Sequence, residues 1–500
     1  MRFLQDMCDF REFTQSSIKP SIEAFQLSRM PAMFSISHAR SRGTLAAAAI
    51  GFVVVLLDVS VVNVALDALR QSFDTDIAGL QWVVNAYTLV FAALLLSAGA
   101  LGDRLGAKRV FMLGFALFTL ASAGCGLAPS LAALILARIA QGLGAAMLVP
   151  NSLSMLQQAF PDPAQRSRAV GWWGAAGGIA LAAGPVLGGV LVSHAGWRSI
   201  FLVNLPIGLL GLYLSWCHAE SGQRSSASPK RGLDLPGQAT ACLALAALTY
   251  ALSAAGSLGW EHPWVYGGLL LSLASAASFI AIESRSAAPM LPLTLFRLQR
   301  FTLASVCGAI INFAYYGLIF VFSLFFQIEQ HLSPLQTGLA FLPMTAVLMA
   351  VSIFVGRLNG RMGARGLLLF GMSWAALGYA LLWPVSIEGA YGWLIAPMLI
   401  ASSGIATMVP TLTNLTLSSV APAQTGIASG VLNAARQVGG MLGVAVCGFL
   451  VRGTEPAVFM QGMHRAIAMA AALLLAGFVL CWFGISSQDS AIDGKRQPNL

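Results

Sequence analysis

Fourteen apolar runs, each near the length needed to cross a bilayer, take up most of this chain and leave it few folds. A helix needs about 20 residues to span the hydrocarbon. Runs of that order lie at 44–66, 80–100, 110–127, 131–150, 168–192, 198–217, 236–256, 264–283, 301–327, 335–356, 366–384, 391–410, 426–450 and 465–485. Only 9% of the residues are charged and 57% are hydrophobic, whereas soluble domains carry about 25% charged residues. The expected fold class is therefore an all-α polytopic membrane protein. A net charge of +9 would point to a polyanionic partner in a soluble chain. In a membrane protein the placement of the bases matters more than their sum, and nucleic acid is not an expected partner.

The runs group as six, two and six. The expected organisation is a cytoplasmic tail at 1–43, a six-helix bundle at 44–217 and a Ser-rich basic linker at 218–235. Two further membrane helices follow at 236–283, then a basic connector at 284–300, a second six-helix bundle at 301–485 and a cytoplasmic tail at 486–500. With the N-terminus inside, only Arg70, Arg198, Arg452 and Arg465 among the 28 bases fall outside, and only Arg138 and Arg436 fall within spans. Both termini are therefore expected to be cytoplasmic. No cleavable signal peptide is visible in the tail. Phe3, Met7, Phe10 and Phe13 recur near helical spacing, which suits an amphipathic surface segment. A disordered tail, or a true start at Met30 or Met33, is the alternative. The seven cysteines are scattered, with no C-x-x-C pair. They read as packing residues, and neither a metal nor a cofactor is expected.

Between the second and third runs stands a polar stretch, Gly99 to Arg109, with Gly99, Gly102 and Gly106 beside Asp103, Arg104, Lys108 and Arg109. Three glycines in so short a connector suit a tight reversal of the backbone. A weaker copy occurs at Gly356 to Arg365, in which Gly360 takes the place of Asp103. The second copy keeps the turn and loses the acid.

A charge deep in hydrocarbon costs at least about 2.5–3.5 kcal/mol on insertion scales, so each one needs a reason. Asp58, Arg138 and Arg436 are the three that fall well inside runs. At about 1.5 Å per residue, Asp58 lies roughly 12 Å from the outer end of the first helix and Arg138 roughly 10 Å from the outer end of the fourth. This matched depth permits an ion pair or a hydrogen-bond network. Arg138, Gln141, Gly142 and Ala145 share one helix face. Asn433, Arg436, Gln437 and Gly440 repeat that pattern in the thirteenth run, as cavity lining or as interhelical packing. In the fifth run, Gly174, Gly178, Gly184, Gly188 and Gly189 allow close helix approach, and Pro185 removes the hydrogen bond to the carbonyl of Leu181.

Together these features resemble the fourteen-span drug:proton antiporter branch (EmrB/QacA type) of the major facilitator superfamily, over roughly 50–485. The resemblance rests on Leu57 to Leu66 (L-D-x-T-x-V-N-V-A-L-P, with Ser60 for Thr and Asp67 for Pro), the Gly99 to Arg109 loop, and Arg138-x-x-Gln141-Gly142. It extends to Gly184-Pro185-x-x-Gly188-Gly189 and to the Trp197 to Gly208 run. It implies two six-helix bundles plus two central helices in a bacterial inner membrane, and proton-coupled export of amphipathic drugs or toxic small molecules by alternating access. Proton-coupled uptake of a small solute is the alternative, since the fold serves both directions. Asp58 and Arg138 are then the expected proton-coupling pair, and Asn63, Gln141, Asn433, Arg436 and Gln437 the cavity candidates. The Gly99 to Arg109 loop is the expected gate, with Asp103 and Arg104 reaching a helix end across the bundle interface. Gly184, Pro185, Gly188 and Gly189 form the antiporter motif. Phe313, Tyr315, Tyr316, Phe320 and Phe341 are candidates for aromatic stacking. Glu329, Glu388 and Glu455 fall in outer loops, so a neutral or monocationic substrate is expected over a dication. Protons, such a substrate and the bilayer are the expected partners, and no enzyme chemistry is expected. The sequence does not identify any further partner in the cell envelope.

Overall fold

The computed structural model describes residues 40–219, 234–286, 289, 291–387, 389–420, 424–452 and 455–485. The candidate amphipathic segment at 3–13, the alternative starts Met30 and Met33, most of the linker, Glu388 and the 486–500 tail lie outside them.

Every regular element among the described residues is helical. In chain order these are α1 (Arg40–Val64), α2 (Leu66–Phe73), α3 (Ile77–Leu105), α4 (Ala107–Gly126), α5 (Leu131–Ala159), α6 (Pro163–Ala195), α7 (Ser199–Leu202) and α8 (Asn204–His218). There follow α9 (Leu235–Leu258), α10 (Pro263–Arg285), α11 (Gln299–Leu324), α12 (Pro334–Leu381), α13 (Gly392–Ser418), α14 (Thr425–Leu450) and α15 (Pro456–Gly484). Among the described residues, thirteen helices are long and apolar enough to cross a membrane. The 26-residue α14 matches them in length, but Asn433, Arg436 and Gln437 lower its hydropathy.

The helix starts follow local chemistry. Asp76 caps α3 by accepting from Gly79 N at 2.9 Å, and Asp162, just before Pro163, caps α6 through Gln165 N at 2.8 Å. Ser333 and Gln336 close a reciprocal capping box on α12. Each such contact satisfies an amide that the helix itself leaves unbonded.

Several boundaries differ from the sequence expectation. The first helix ends at Val64, not near 66, and the chain restarts as α2, where Asp67 binds Arg70 at 2.9 Å and Gln71 at 2.7 Å. The last helix begins at Pro456, nine residues before the apolar run expected at 465–485. Its first turns are mostly apolar, with Phe459 and Met463 buried, so the helix extends past Arg465, which sits within it.

The polar stretch Gly99 to Arg109, at the end of α3 and the start of α4, is also not a loop. Gly99 and Gly102 are helical, and the reversal falls on Gly106 alone (φ 96°). Gly102 is needed for a different reason, because a Cβ there would overlap the Asn151 side chain of α5. The second copy behaves alike: α12 runs on from Pro334 to Leu381 but breaks at Gly363 (φ 67°), the counterpart of Gly106. Positive φ at both sites excludes ordinary L-residues. Gly106→Ala is expected to cost about 1–3 kcal/mol, read as a lowered thermal midpoint of the purified protein, with Gly124→Ala, where only Ala137 Cβ lies near at 3.5 Å, as the mild control.

Helices α3, α4, α5 and α8 pack on one another, as do α11 with α14 and α15, and α12 with α13 and α15. The two groups meet along α6 with α12 and along α3 with α14. Helix α9 packs on α10 and lies against both α3 and α14. Buried Gln81 of α3 ties this seam: it donates to the carbonyls of Val444 (3.1 Å) and Ala445 (2.7 Å) and accepts from Ser253 of α9 (3.2 Å).

Candidate functional site

Asp58 and Arg138 meet. Six residues separate Asp58 from the end of α1 and seven separate Arg138 from the start of α5, so both sit about 9–10 Å from the same end of the bundle. Arg138 donates through Nη1 to Asp58 Oδ2, and the two side chains are 1% and 0% exposed. The rest of the guanidinium is held as firmly. Nε donates to the Val83 carbonyl of α3 at 3.0 Å, Nη1 also reaches Gln141 Oε1 at 2.8 Å, and the Tyr87 ring lies 4.3 Å from Cζ. Asp58 Oδ1 accepts from Gln141 Nε2 at 2.7 Å and from Asn204 Nδ2 at 3.2 Å, and Ser122 Oγ joins both amides. Helices α5 and α8 thus donate directly to the carboxylate on α1, and α4 joins the network through Ser122. Among the described residues this is the only ion pair with both partners buried, and it persists in hydrocarbon because nearly every donor and acceptor is matched. Protonation of Asp58 would cancel its charge and leave Arg138 to its neutral partners.

Helix α1 carries this cluster straight to the contacts between bundles. Ser60 and Val61 lie against Gly184 and Gly188 of α6, where a Cβ would collide with Ser60 or come within 3.1 Å of the Val61 carbonyl. The Asn63 carbonyl accepts from Ser323 and, at 3.4 Å, from Gln327. The Asn63 side chain itself turns back to the Val59 carbonyl (3.0 Å). On the other flank of α6, Gly189 meets the Pro334 carbonyl, at 2.6 Å from an added Cβ, and Gly338 of α12 sits over the Pro185 carbonyl. This end of the α6–α12 seam is closed.

The opposite half of α6 is not. Gly171, Gly174, Gly178, Leu181, Pro185 and Gly188 follow at steps of three or four and so form one stripe. At Gly171, Gly174 and Gly178 nothing lies within 4 Å of an added Cβ. The α6 stripe is covered toward the Asn63 end and faces open space toward the Gly106 end, while α3 and α14 stay in contact there, with Leu96 2.5 Å from a Cβ added at Gly430. Between the bundles, Ser60, Asn63, Pro185, Tyr315, Tyr316 and Phe341 border a cavity with about 10 Å³ of room for water centres, enough for about one water.

The remaining candidates are dispersed. Arg436, with Asn433 and Gln437 on the same helix, is half-buried and donates through Nη2 to the Val409 carbonyl (2.8 Å) and to Thr413 Oγ1 (3.0 Å). Phe313 and Phe320 are buried in the core. Lys108 caps the end of α8 through the carbonyls of Trp216 (3.1 Å) and Ala219 (2.6 Å), so the base serves its own bundle. Asp103 and Arg109 are exposed, and Arg104 is half-buried with no hydrogen-bond partner at Nε.

The sequence reading missed Asn204, Ser122, Tyr87 and Gln81. Asn204 did carry a signal, being an amide inside an apolar run. Ser122 and Tyr87 carried none, since serine and tyrosine are common in spans without any polar cluster nearby.

Comparison with known proteins agrees with this architecture. The family model described as Major Facilitator Superfamily matches residues 48–444. "Multidrug resistance protein Stp" of Mycobacterium tuberculosis is 38% identical over 424 residues, which cover 85% of this chain and 78% of that one. "Drug efflux pump JefA" of the same organism is 34% identical over 413 residues, 82% of this chain and 80% of that one. The solved structure of a D-xylose-proton symporter superposes with a TM-score of 0.66 at 14% identity, covering 90% of this chain and 98% of that one, which speaks to the fold alone. With its helices arranged in two groups, a buried ion pair within the first of them, and its sequence matched over most of its length, this chain is a multi-pass membrane protein of the major facilitator superfamily.

Proposed function

We propose that this chain is a proton-coupled antiporter that exports amphipathic drugs or toxic small molecules across a bacterial inner membrane. It crosses the membrane fourteen times, α14 included, with both termini cytoplasmic. The relatives named for multidrug resistance and drug efflux support export. The observation that carries the coupling is the enclosed Asp58–Arg138 pair, two residues from Ser60 and five from Asn63, on the helix whose contacts close one end of the bundle seam.

With the N-terminus inside, the closed end faces outward and the parted half of α6 faces the cytoplasm, where an exporter loads. A proton reaching Asp58 frees α1 from Arg138. The shift passes along α1 to Gly184 and Gly188 of α6 and to α11, and changes the balance between the two arrangements of the seam, so that the proton-loaded carrier returns to the cytoplasm-facing one.

Everted membrane vesicles test the direction. A susceptibility panel with and without expression first identifies a compound to which the chain confers resistance. Vesicles acidified inside are expected to accumulate that compound, and a protonophore is expected to abolish the uptake. Loss of the compound from the lumen on acidification would instead mark a symporter, and accumulation indifferent to the protonophore would refute proton coupling.

A further inference from the structure

Resting on the exporter reading, we infer that Arg436 is an anion-recognising group of the substrate cavity, which selects amphipathic molecules bearing a carboxylate or another anionic oxygen over cations. The argument begins with charge. Of the three charges deep in the spans, Asp58 and Arg138 neutralise each other. Arg436 has no such partner. It forms no ion pair with any described residue, and its two hydrogen bonds go to a neutral carbonyl and a neutral hydroxyl, both through Nη2. Its Nε is buried with no acceptor.

The rest of the second bundle supplies no counter-charge. Between 301 and 485 the only acids are Glu329, Glu388 and Glu455. Arg436 packs beside Gly308 of α11, where an added Cβ would lie 3.4 Å from Arg436 Cγ. Glu329 is 21 residues farther along (329 − 308), about 30 Å at 1.5 Å per residue. Glu455 lies just before the first turn of α15, beyond the far end of α14. The surroundings are polar but uncharged: Thr413, Asn433 and Gln437, with Asn312 one turn beyond Gly308 on the same face of α11.

Arg436 also belongs to the side of α14 that meets the cavity. Gly440, one turn along the same face, packs on the Tyr316 ring, which itself borders the cavity between the bundles. Asp58 is wholly enclosed and lies in the other bundle, so it neither offsets Arg436 nor meets a substrate bound there. A proton on Asp58 then acts through the contacts of α1, not by direct competition. A guanidinium with a buried unbonded Nε, on the helix whose Gly440 packs on the Tyr316 ring, suits a flat molecule with an anionic oxygen at one edge. It disfavours a cation, whose charge would add to that of Arg436.

Fluorescein and rhodamine 123 test this, because they share a xanthene core and carry opposite charge at neutral pH. Equilibrium dialysis against the purified full chain in nanodiscs is expected to give the wild type a preference for fluorescein of about tenfold or more, and Arg436→Gln a ratio within about threefold of unity. Arg436→Lys, which keeps the charge, is expected to retain most of the preference. A preference for rhodamine 123, equal binding, binding of neither dye by folded wild type, or an unchanged ratio in Arg436→Gln would each overturn the inference. Acid-driven efflux without the anion preference would remove this proposal alone. The preference without such efflux would remove the export reading and leave the site.

Discussion

Asp58→Asn is expected to reduce acid-driven accumulation in everted vesicles to background. The asparagine oxygen replaces only one of the two carboxylate oxygens that now accept from Arg138, Gln141 and Asn204, and its NH₂ group adds a donor where only donors converge. Arg138 is then buried without a counter-charge. Breaking one side of a buried pair costs about 3–5 kcal/mol, so the thermal midpoint in detergent should fall as well. The double variant Asp58→Asn with Arg138→Gln separates folding from coupling. It is expected to recover most of the lost stability, because no buried charge remains, and to recover no transport. A double variant that regains both would reduce the pair to a structural element.

Gly189→Val is expected to move the protein out of the observed state. An added Cβ would sit 2.6 Å from the Pro334 carbonyl and 2.8 Å from Leu335 Cα, and backbone atoms cannot turn aside as a flexible side chain does. Overpacking of this kind costs about 1–3 kcal/mol, and a cost confined to one of two states shifts their ratio by about 5- to 150-fold. Gly178→Cys reports that shift, since the position faces open space in the observed state. With the exposed Cys217 replaced by Ser, a hydrophilic maleimide should label Gly178→Cys slowly in the Gly189→Val background and rapidly without it. Equal rates in two folded proteins would show that Gly189 does not hold the seam shut.

These expectations show which parts of the fold the amino-acid sequence made legible. The spans were visible because hydrocarbon demands long apolar runs, and Asp58 and Arg138 stood out because charge is costly there. Counting residues from helix ends placed the two at one depth. That they face each other depends on the rotation of α1 against α5, which no local pattern encodes. Asn204 enters the cluster through the packing of its helix on α4, since Val203 keeps helical dihedrals (φ −60°, ψ −25°) and no break of the chain turns the amide onto Asp58. The glycines of α6 were recognisable as a packing stripe. Their division into a closed half and a parted half belongs to one conformation, and a sequence describes all conformations at once. The polar stretch where α3 meets α4 misled in the opposite way: three glycines suggested one loop, yet Gly102 serves a contact with Asn151 and only Gly106 turns the chain.

Proton release on substrate binding tests the coupling at Asp58 most directly. In weakly buffered solution, purified wild-type protein is expected to release protons when it binds the compound identified by the susceptibility panel, and Asp58→Asn to bind the compound without releasing any. Equal proton release by wild type and Asp58→Asn would place the coupling proton elsewhere and contradict the account.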